Sequence, residues 1–145
     1  MPSTQILMSI QPRFAKLILD GEKPYELRRM RPRFKEGDRV IIYASREIGR
    51  IIGFFQVGVV LSGNVEQVWQ AILARRRHRD DTPPLSESGF FAYLSGARVA
   101  SAIEIRNPRR LESPLALNIR APQSYQFLSQ DNPVHRELLD QLPPA

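Results

Sequence analysis

Residues 21–29, which read GEKPYELRR, predict a change from helix to strand and carry several opposite charges within a few positions. Gly21 supplies the left-handed conformation that commonly ends a helix, and Pro24 cannot continue one because it lacks an N–H. After the proline the side chains alternate with a period of two, so Glu26 and Arg28 share one face of a strand. A turn between packed elements holds polar groups in fixed geometry, and these residues are therefore predicted to form a site.

The chain on both sides of this stretch predicts short strands with helices inserted among them. Gly53 and Gly58 interrupt a long apolar strand and predict a bulge or a sharp bend of the sheet. Asn64 with Gln67 three residues later forms a capping-box pattern at the start of a helix. The predicted strands are 6–10, 25–28, 39–44, 50–61, 99–105 and 123–128. The predicted helices are 12–20, 64–77, 86–94 and a short one after 131. The segment 107–114 is predicted as a basic loop. Five or six short strands arranged in this way predict an α+β fold with a small, strongly bent mixed sheet, as one domain over residues 1–145.

The composition excludes several classes of site. The chain has 145 residues, 42% of them hydrophobic and 25% charged, which is typical of a soluble globular protein. It contains no cysteine, so disulfides, thiolate metal sites and cysteine nucleophiles are excluded. The two histidines, His78 and His135, lie far apart in sequence, and neither a metal site nor a cofactor is expected. We find no signal peptide and no apolar run of about 20 residues, so the expected location is the cytoplasm, without a membrane partner.

The charge is positive, with a formal net value of +6. Arginine predominates among the cations, and its planar guanidinium suits phosphates and base edges. The basic residues cluster at Arg28, Arg29, Arg31, Arg33, Lys35 and Arg39, at Arg75 to Arg79, and at Arg106, Arg109 and Arg110. Such clusters favour a nucleic-acid partner. A solvated basic surface is the alternative, and the arginines that begin at Arg75 also suit the negative end of a helix.

The residues alone leave two interpretations of the charged turn. In the first, Lys23 covers the last carbonyls of a helix, and Glu26 with Arg28 forms a surface ion pair worth about 0–1 kcal/mol. In the second, the three side chains line a cleft, where Glu26 accepts from a base amino group and Arg28 contacts a carbonyl or a phosphate.

A longer run around the turn resembles the ASCH domain, a member of the PUA-like superfamily. The similar segments are SIQP at 9–12 and LILDGEKPYELRR at 17–29, and the family signature G-x-K-x-x-E-x-R falls on Gly21, Lys23, Glu26 and Arg28. Later segments are also similar, namely GD at 37–38, VIIYAS at 40–45 and PQSY at 122–125. The resemblance extends to about Leu128. It implies a PUA-like mixed β-barrel of five to six strands with flanking helices and a cleft beside the first helix.

The resemblance also implies functions. Related domains bind RNA, some superfamily members bind modified bases, one branch hydrolyses N4-acetylcytidine, and another has been proposed to cut RNA. In the amidohydrolase branch the motif lysine acts with a threonine three residues later. Glu26 occupies that position in this sequence, and a glutamate does not form the same acyl intermediate as readily, so that catalytic triad is not transferred.

Two functional hypotheses follow. The first is a domain that binds RNA, a nucleotide or a modified nucleoside, in RNA metabolism or transcriptional regulation. Its base-binding residues are Lys23, Glu26 and Arg28, and Arg29, Arg31 and Arg33 contact the phosphates. The similar segments add Ser45, Gln123 and Ser124. A stacking face comes from Tyr25, Tyr43 or Tyr125. The alternative is a metal-independent hydrolase of RNA or of an N-acylated cytidine, with Lys23, Glu26 and Tyr43 as catalytic residues. A module that binds an acidic protein partner is a third hypothesis.

Overall fold

The structure, a computed structural model, describes residues 4–76 and 86–144. The predicted arginines 77 and 79, His78 and the residues that follow up to 85 lie outside the described residues. The elements in chain order are β1 (Gln5–Ile10), α1 (Pro12–Leu19), β2 (Tyr25–Arg28), β3 (Arg39–Ala44), β4 (Arg50–Gly63), α2 (Val65–Arg76), α3 (Glu87–Tyr93), β5 (Ala100–Leu115), β6 (Tyr125–Leu128) and α4 (Pro133–Asp140). No helix among the described residues is long and apolar enough to cross a membrane.

The six strands form one curled sheet in the order β2-β5-β4-β3-β1-β6. β1 and β3 are parallel, and the other neighbouring strands pair antiparallel, so the sheet is mixed. This half-barrel with four helices confirms the predicted α+β fold class. The capping box is also confirmed, because Asn64 N–H donates to Gln67 Oε1 at 2.9 Å and Gln67 N–H donates to Asn64 Oδ1 at 2.8 Å.

The long strands β4 and β5 bend because their register shifts at three places. Two of the shifts fall beside Gly53 and Gly58, which confirms the prediction of irregularity at these glycines. The prediction of a loop over 107–114 is wrong, since this segment is the second half of β5. The strand tolerates Pro108 because a register shift lies there and Asn107 adopts the left-handed conformation with φ of 50°.

Three apolar clusters fill the space around the curl. The first lies between the sheet and α1 and contains Ile18, Ile42 and Phe55. In the second, Tyr25 and Leu27 of β2 pack against α2 and α3. The third cluster lies under α4. Because the apolar face of β2 is held by α2 and α3, its other face is fixed toward α1 and β1.

A buried ion cluster joins α2 to the sheet. Glu104 Oε2 accepts from Arg75 Nη2 at 2.6 Å, and Glu104 Oε1 accepts from Arg106 Nη2 at 2.9 Å and from Val59 N–H at 3.1 Å. Burial acts to raise the pKa of Glu104, but the Val59 N–H and the two guanidinium groups outweigh it and hold the pKa below its ordinary value of 4.5.

This cluster predicts a specific loss of stability in acid. The pKa of Glu104 is lower in the folded protein than the unfolded value of 4.5. Ionised Glu104 therefore contributes fully to the free energy of unfolding above pH 4.5, and this contribution is lost as the pH falls through the folded-state pKa. Glu104→Gln should therefore be less stable than the wild type near neutrality, and the difference in melting temperature should shrink as the pH falls toward about 3. A difference that stays constant over that interval would contradict the assignment.

Substitution of Gly53 within β4 is predicted to destabilise the fold. A Cβ at this position would lie 2.5 Å from the Arg109 backbone oxygen and 2.7 Å from Leu19 Cδ2. The paired backbone of β5 would have to move, so Gly53→Ala should lower the free energy of unfolding by about 1–3 kcal/mol. Urea denaturation followed by circular dichroism measures the change, and an unchanged midpoint would show that the strands separate more easily than their pairing indicates.

Candidate functional site

The end of α1 directs the chain into the site. Gly21 has φ of 76°, and the Glu22 N–H donates to the Leu17 carbonyl at 2.9 Å, which closes the last turn. Pro24 then starts the extended segment, and its carbonyl accepts from the Ile105 N–H at 2.9 Å. The side chain of Lys23 folds back over α1, where its Nζ lies 4.9 Å from the centre of the Phe14 ring.

Glu26 lies between two cations. Its Oε1 accepts from Lys23 Nζ at 2.9 Å, and its Oε2 accepts from Arg28 Nη2 at 2.9 Å. The side chain of Glu26 is 5% exposed, and those of Lys23 and Arg28 are each 13% exposed. The interpretation of Glu26 and Arg28 as a surface pair is therefore wrong. Removing these charges from water is costly, and the paired hydrogen bonds offset that cost.

Arg28 also connects β2 to the other edge of the sheet. Its Nη2 donates to the Ser9 carbonyl of β1 at 3.0 Å, and its Nη1 donates to Ser124 Oγ, just before β6, at 3.3 Å. Within the described part of the chain, Arg28 Nε is the one buried side-chain nitrogen or oxygen without a hydrogen-bond partner. A buried donor without an acceptor destabilises the folded state.

The face of β2 that carries Glu26 and Arg28 opens into a cleft of about 430 Å³. Tyr43, Ser45 and Gln123, which were predicted from the sequence, line the same cleft. The Tyr43 hydroxyl makes no hydrogen bond within residues 4–76 and 86–144, so it is free to bind a ligand. Ser124 contributes through its hydroxyl contact with Arg28.

Lys23 does not line this cleft. It lines a second hollow of about 470 Å³ on the other side of Phe14 and Tyr93, and it reaches the cleft only through its bond to Glu26. The three charged groups of the motif are therefore brought together as an ion-paired row, but they face two adjoining hollows rather than one.

The other predicted residues lie outside the cleft. Arg29 Nη1 donates to the carbonyls of Tyr93 at 3.1 Å and Ser95 at 2.8 Å, which anchors the end of α3. Arg31 and Arg33 are exposed and do not line the cleft, and their contacts with phosphates stay a prediction.

Two of the three predicted stacking tyrosines are occupied elsewhere. Tyr25 is buried in the cluster under α2 and α3, and its hydroxyl accepts from Arg75 Nε at 3.2 Å, so the prediction that it offers a stacking face is wrong. The Tyr125 ring packs edge-on against Phe34 at 5.1 Å, and its hydroxyl accepts from the Arg33 N–H. Tyr43 remains as the candidate within the cleft.

The sequence did not identify Phe14, Arg46 and Tyr93 as cleft residues, although all three line it. Arg46 lies in the turn before β4 with φ of 57°, a strained conformation that is often found at functional sites. Tyr93 as a whole residue is 42% exposed. The pKa of its hydroxyl is nevertheless raised, first by partial removal of the group from water and then by the nearby negative charge of Glu26. Only the arrangement of α3 against β2 brings Tyr93 to the cleft, and no local sequence pattern indicates it.

Among the described residues, no three side chains of His, Cys, Asp or Glu lie close enough together to hold a metal ion. The polar groups of the cleft are hydroxyls, one carboxylate, two amides and two guanidiniums. This set is suited to hydrogen bonding and to binding an anion, because its two arginines outnumber its single carboxylate.

Comparison with known proteins agrees with this architecture. The family model of the ASCH domain matches residues 8–114. An ASCH domain-containing ribonuclease of Zymomonas mobilis is 28% identical in an alignment 139 residues long, and the alignment covers 88% of this chain and 86% of that protein.

Solved structures show the same fold. The crystal structure of ASCH from Zymomonas mobilis is 28% identical, has a TM-score of 0.73, and covers 95% of this chain and 94% of that one. A Rhodopseudomonas palustris protein solved by NMR is 14% identical with a TM-score of 0.51, covers 95% of this chain and 91% of that one, and supports the fold alone. The family model spans well over half of the chain, and the chain therefore belongs to the ASCH domain family.

Proposed function

We propose that the cleft binds single-stranded RNA through one nucleotide that enters beside Arg28. The observation that carries this proposal is the buried row of Lys23, Glu26 and Arg28, which holds the Arg28 side chain at the wall of a polar cleft. Such a row orients one guanidinium rigidly, and a phosphate or a base carbonyl is the acceptor that it fits.

The size and the polar groups of the cleft support a nucleotide. A volume of about 430 Å³ lies within the range of small-molecule sites. Ser45 and Gln123 offer the hydrogen-bonding groups that contact base edges, and Tyr43 offers an aromatic face. A base inside a duplex cannot enter such a cleft without leaving its stack, so a single strand is the expected ligand.

Charge supports an anionic ligand. Arg46 lies exposed at the cleft and forms no ion pair within the described residues, so it is available to a phosphate. The formal net charge of +6 attracts a polyanion to the surface before it docks.

Binding of RNA should weaken with salt, and Arg46 should account for part of that dependence. Arg46→Ala should reduce the slope of log affinity against log salt by about 0.7, the value expected for one phosphate contact on a single strand. Fluorescence anisotropy with labelled 2′-fluoro RNA, titrated between about 50 and 200 mM salt, measures the slope.

Arg136→Ala is the matched control, because Arg136 is exposed on α4 and lies outside the cleft. It should leave the affinity and the slope unchanged. Absence of RNA binding at low salt, or equal effects of the two substitutions, would contradict the proposal.

We propose cleavage of RNA as a second function of the same cleft, supported by the Zymomonas mobilis relative that is named a ribonuclease. In the proposed reaction the 2′ hydroxyl attacks phosphorus. A bond from phosphorus to the 2′ oxygen forms and the bond to the 5′ oxygen breaks, which leaves a 2′,3′-cyclic phosphate. The attacking hydroxyl loses its proton to solvent, and the departing oxygen must gain one. Tyr43 lines the cleft, and its hydroxyl makes no hydrogen bond within the described residues, so it is the proton donor that we propose.

The ion-paired row of Lys23, Glu26 and Arg28 supplies the remaining chemistry. Negative charge that develops on the phosphoryl oxygens is stabilised by Arg28 and, from the adjoining hollow, by Lys23. Both oxygens of Glu26 are engaged by these cations, so Glu26 is a positioning residue in this scheme rather than the base.

Tyr43→Phe should separate cleavage from binding. Loss of the proton donor should reduce the cleavage rate by about 100-fold or more, while RNA affinity changes by less than about threefold because the ring remains. Denaturing gel electrophoresis of labelled single-stranded RNA, run in parallel with chelator and with Mg²⁺, measures the rate.

Tyr125→Phe, which removes a hydroxyl outside the cleft, is the matched control and should cleave at the wild-type rate. Full activity of Tyr43→Phe would exclude Tyr43 as the donor, and no cleavage by the wild type under either condition would leave the chain as a binding domain.

A further inference from the structure

Two hollows adjoin in this structure and share one wall. Phe14 and Tyr93 line both the cleft and the second hollow. Their rings meet edge to face, with centroids 6.1 Å apart and an angle of 82° between the planes. The two side chains form a ridge, and Lys23 lines the second hollow while its Nζ bonds to Glu26 of the cleft.

The second hollow differs from the cleft in chemistry. Its volume of about 470 Å³ is similar, but its lining is mainly apolar and includes Leu27, Phe90 and Ala92. Two cations, Arg13 and Lys23, also line it. A mainly apolar hollow with cations in its lining fits the flat face of a base with a phosphate beside it.

The cations and the aromatic ridge indicate the same occupant. The Arg13 guanidinium carbon lies 4.5 Å from the centre of the Phe14 ring, and Arg13 forms no ion pair within the described residues. Tyr93 is one of the few large hydrophobic side chains that are substantially exposed. Successive bases of a single strand stack on side chains of this kind with little regard to sequence.

We propose that the second hollow is a subsite for the base next to the one in the cleft, so that the strand crosses the Phe14–Tyr93 ridge and the ligand is at least a dinucleotide. This inference rests on the proposed RNA-binding function and specifies its ligand. The continuity of the two hollows across shared side chains, and the cations on both sides of the ridge, carry the proposal.

Filling the second hollow tests the proposal without altering the cleft. Ala92 is exposed on α3 and lines the second hollow but not the cleft, so Ala92→Trp should occupy the base site. Ala74→Trp on the exposed face of α2, away from both hollows, is the matched control. Arg13→Ala is a second variant, which removes a cation of the second hollow without adding volume.

The probes are 2′-fluoro adenosine 3′-monophosphate and the 2′-fluoro adenosine dinucleotide with a 3′-phosphate, and affinities are measured by isothermal titration calorimetry. For the wild type and Ala74→Trp, we expect the dinucleotide to bind about tenfold more tightly than the mononucleotide, since one more base stacks. Ala92→Trp should abolish this advantage while mononucleotide affinity stays unchanged, and Arg13→Ala should reduce it.

The failures are distinguishable. Equal affinity of the two probes for the wild type, or an undiminished advantage in both Ala92→Trp and Arg13→Ala, would overturn the second subsite while leaving RNA binding in the cleft intact. Absence of binding for both probes and for longer RNA would overturn the proposed function itself, and the subsite with it.

Discussion

The Arg28 guanidinium holds together two regions of the curled sheet that are not neighbours in its strand order. β2 pairs with β5 at one end of the sheet, whereas β1 and β6 lie at the other. Arg28 spans the gap through the Ser9 carbonyl and the Ser124 hydroxyl. Glu26, on the same strand as Arg28, accepts from the guanidinium through one carboxylate oxygen and from Lys23 through the other. The cleft exists because Arg28 closes the curl with side-chain hydrogen bonds, which leave a gap that backbone pairing would have filled.

Closing a barrel in this way is expensive for a small protein. Three charges are removed from water, and one donor remains unpaired. An apolar pair of similar size would close the same gap with less desolvation. The row of Lys23, Glu26 and Arg28 has a property that an apolar pair lacks, because it holds an arginine at the wall of the cleft. A guanidinium in that position suits an anionic ligand. The ion cluster of Glu104 contrasts with it, because its carboxylate is surrounded by donors and joins a helix to the sheet.

Much of this arrangement could be predicted from local patterns. The period of two after Pro24 correctly placed Glu26 and Arg28 on one face, and Asn64 with Gln67 correctly marked the start of α2. The errors have long-range causes. The segment 107–114 contains prolines and arginines, and only the long partner strand β4 makes it a strand. The sequence predicts Lys23 in the cleft because it lies close to Glu26 along the chain, but its side chain turns back over Phe14. Tyr93 and Arg46 reach the cleft through the curl of the sheet, which no short window of sequence contains.

Arg29, the residue after Arg28, gives β2 a further constraint. The Arg28 guanidinium donates to a carbonyl of β1, and the Arg29 guanidinium donates to two carbonyls at the end of α3. A slip of one residue in this four-residue strand would exchange the two faces and detach both walls of the cleft together. Lengthening or shortening the chain between Pro24 and Arg29 is therefore incompatible with the site.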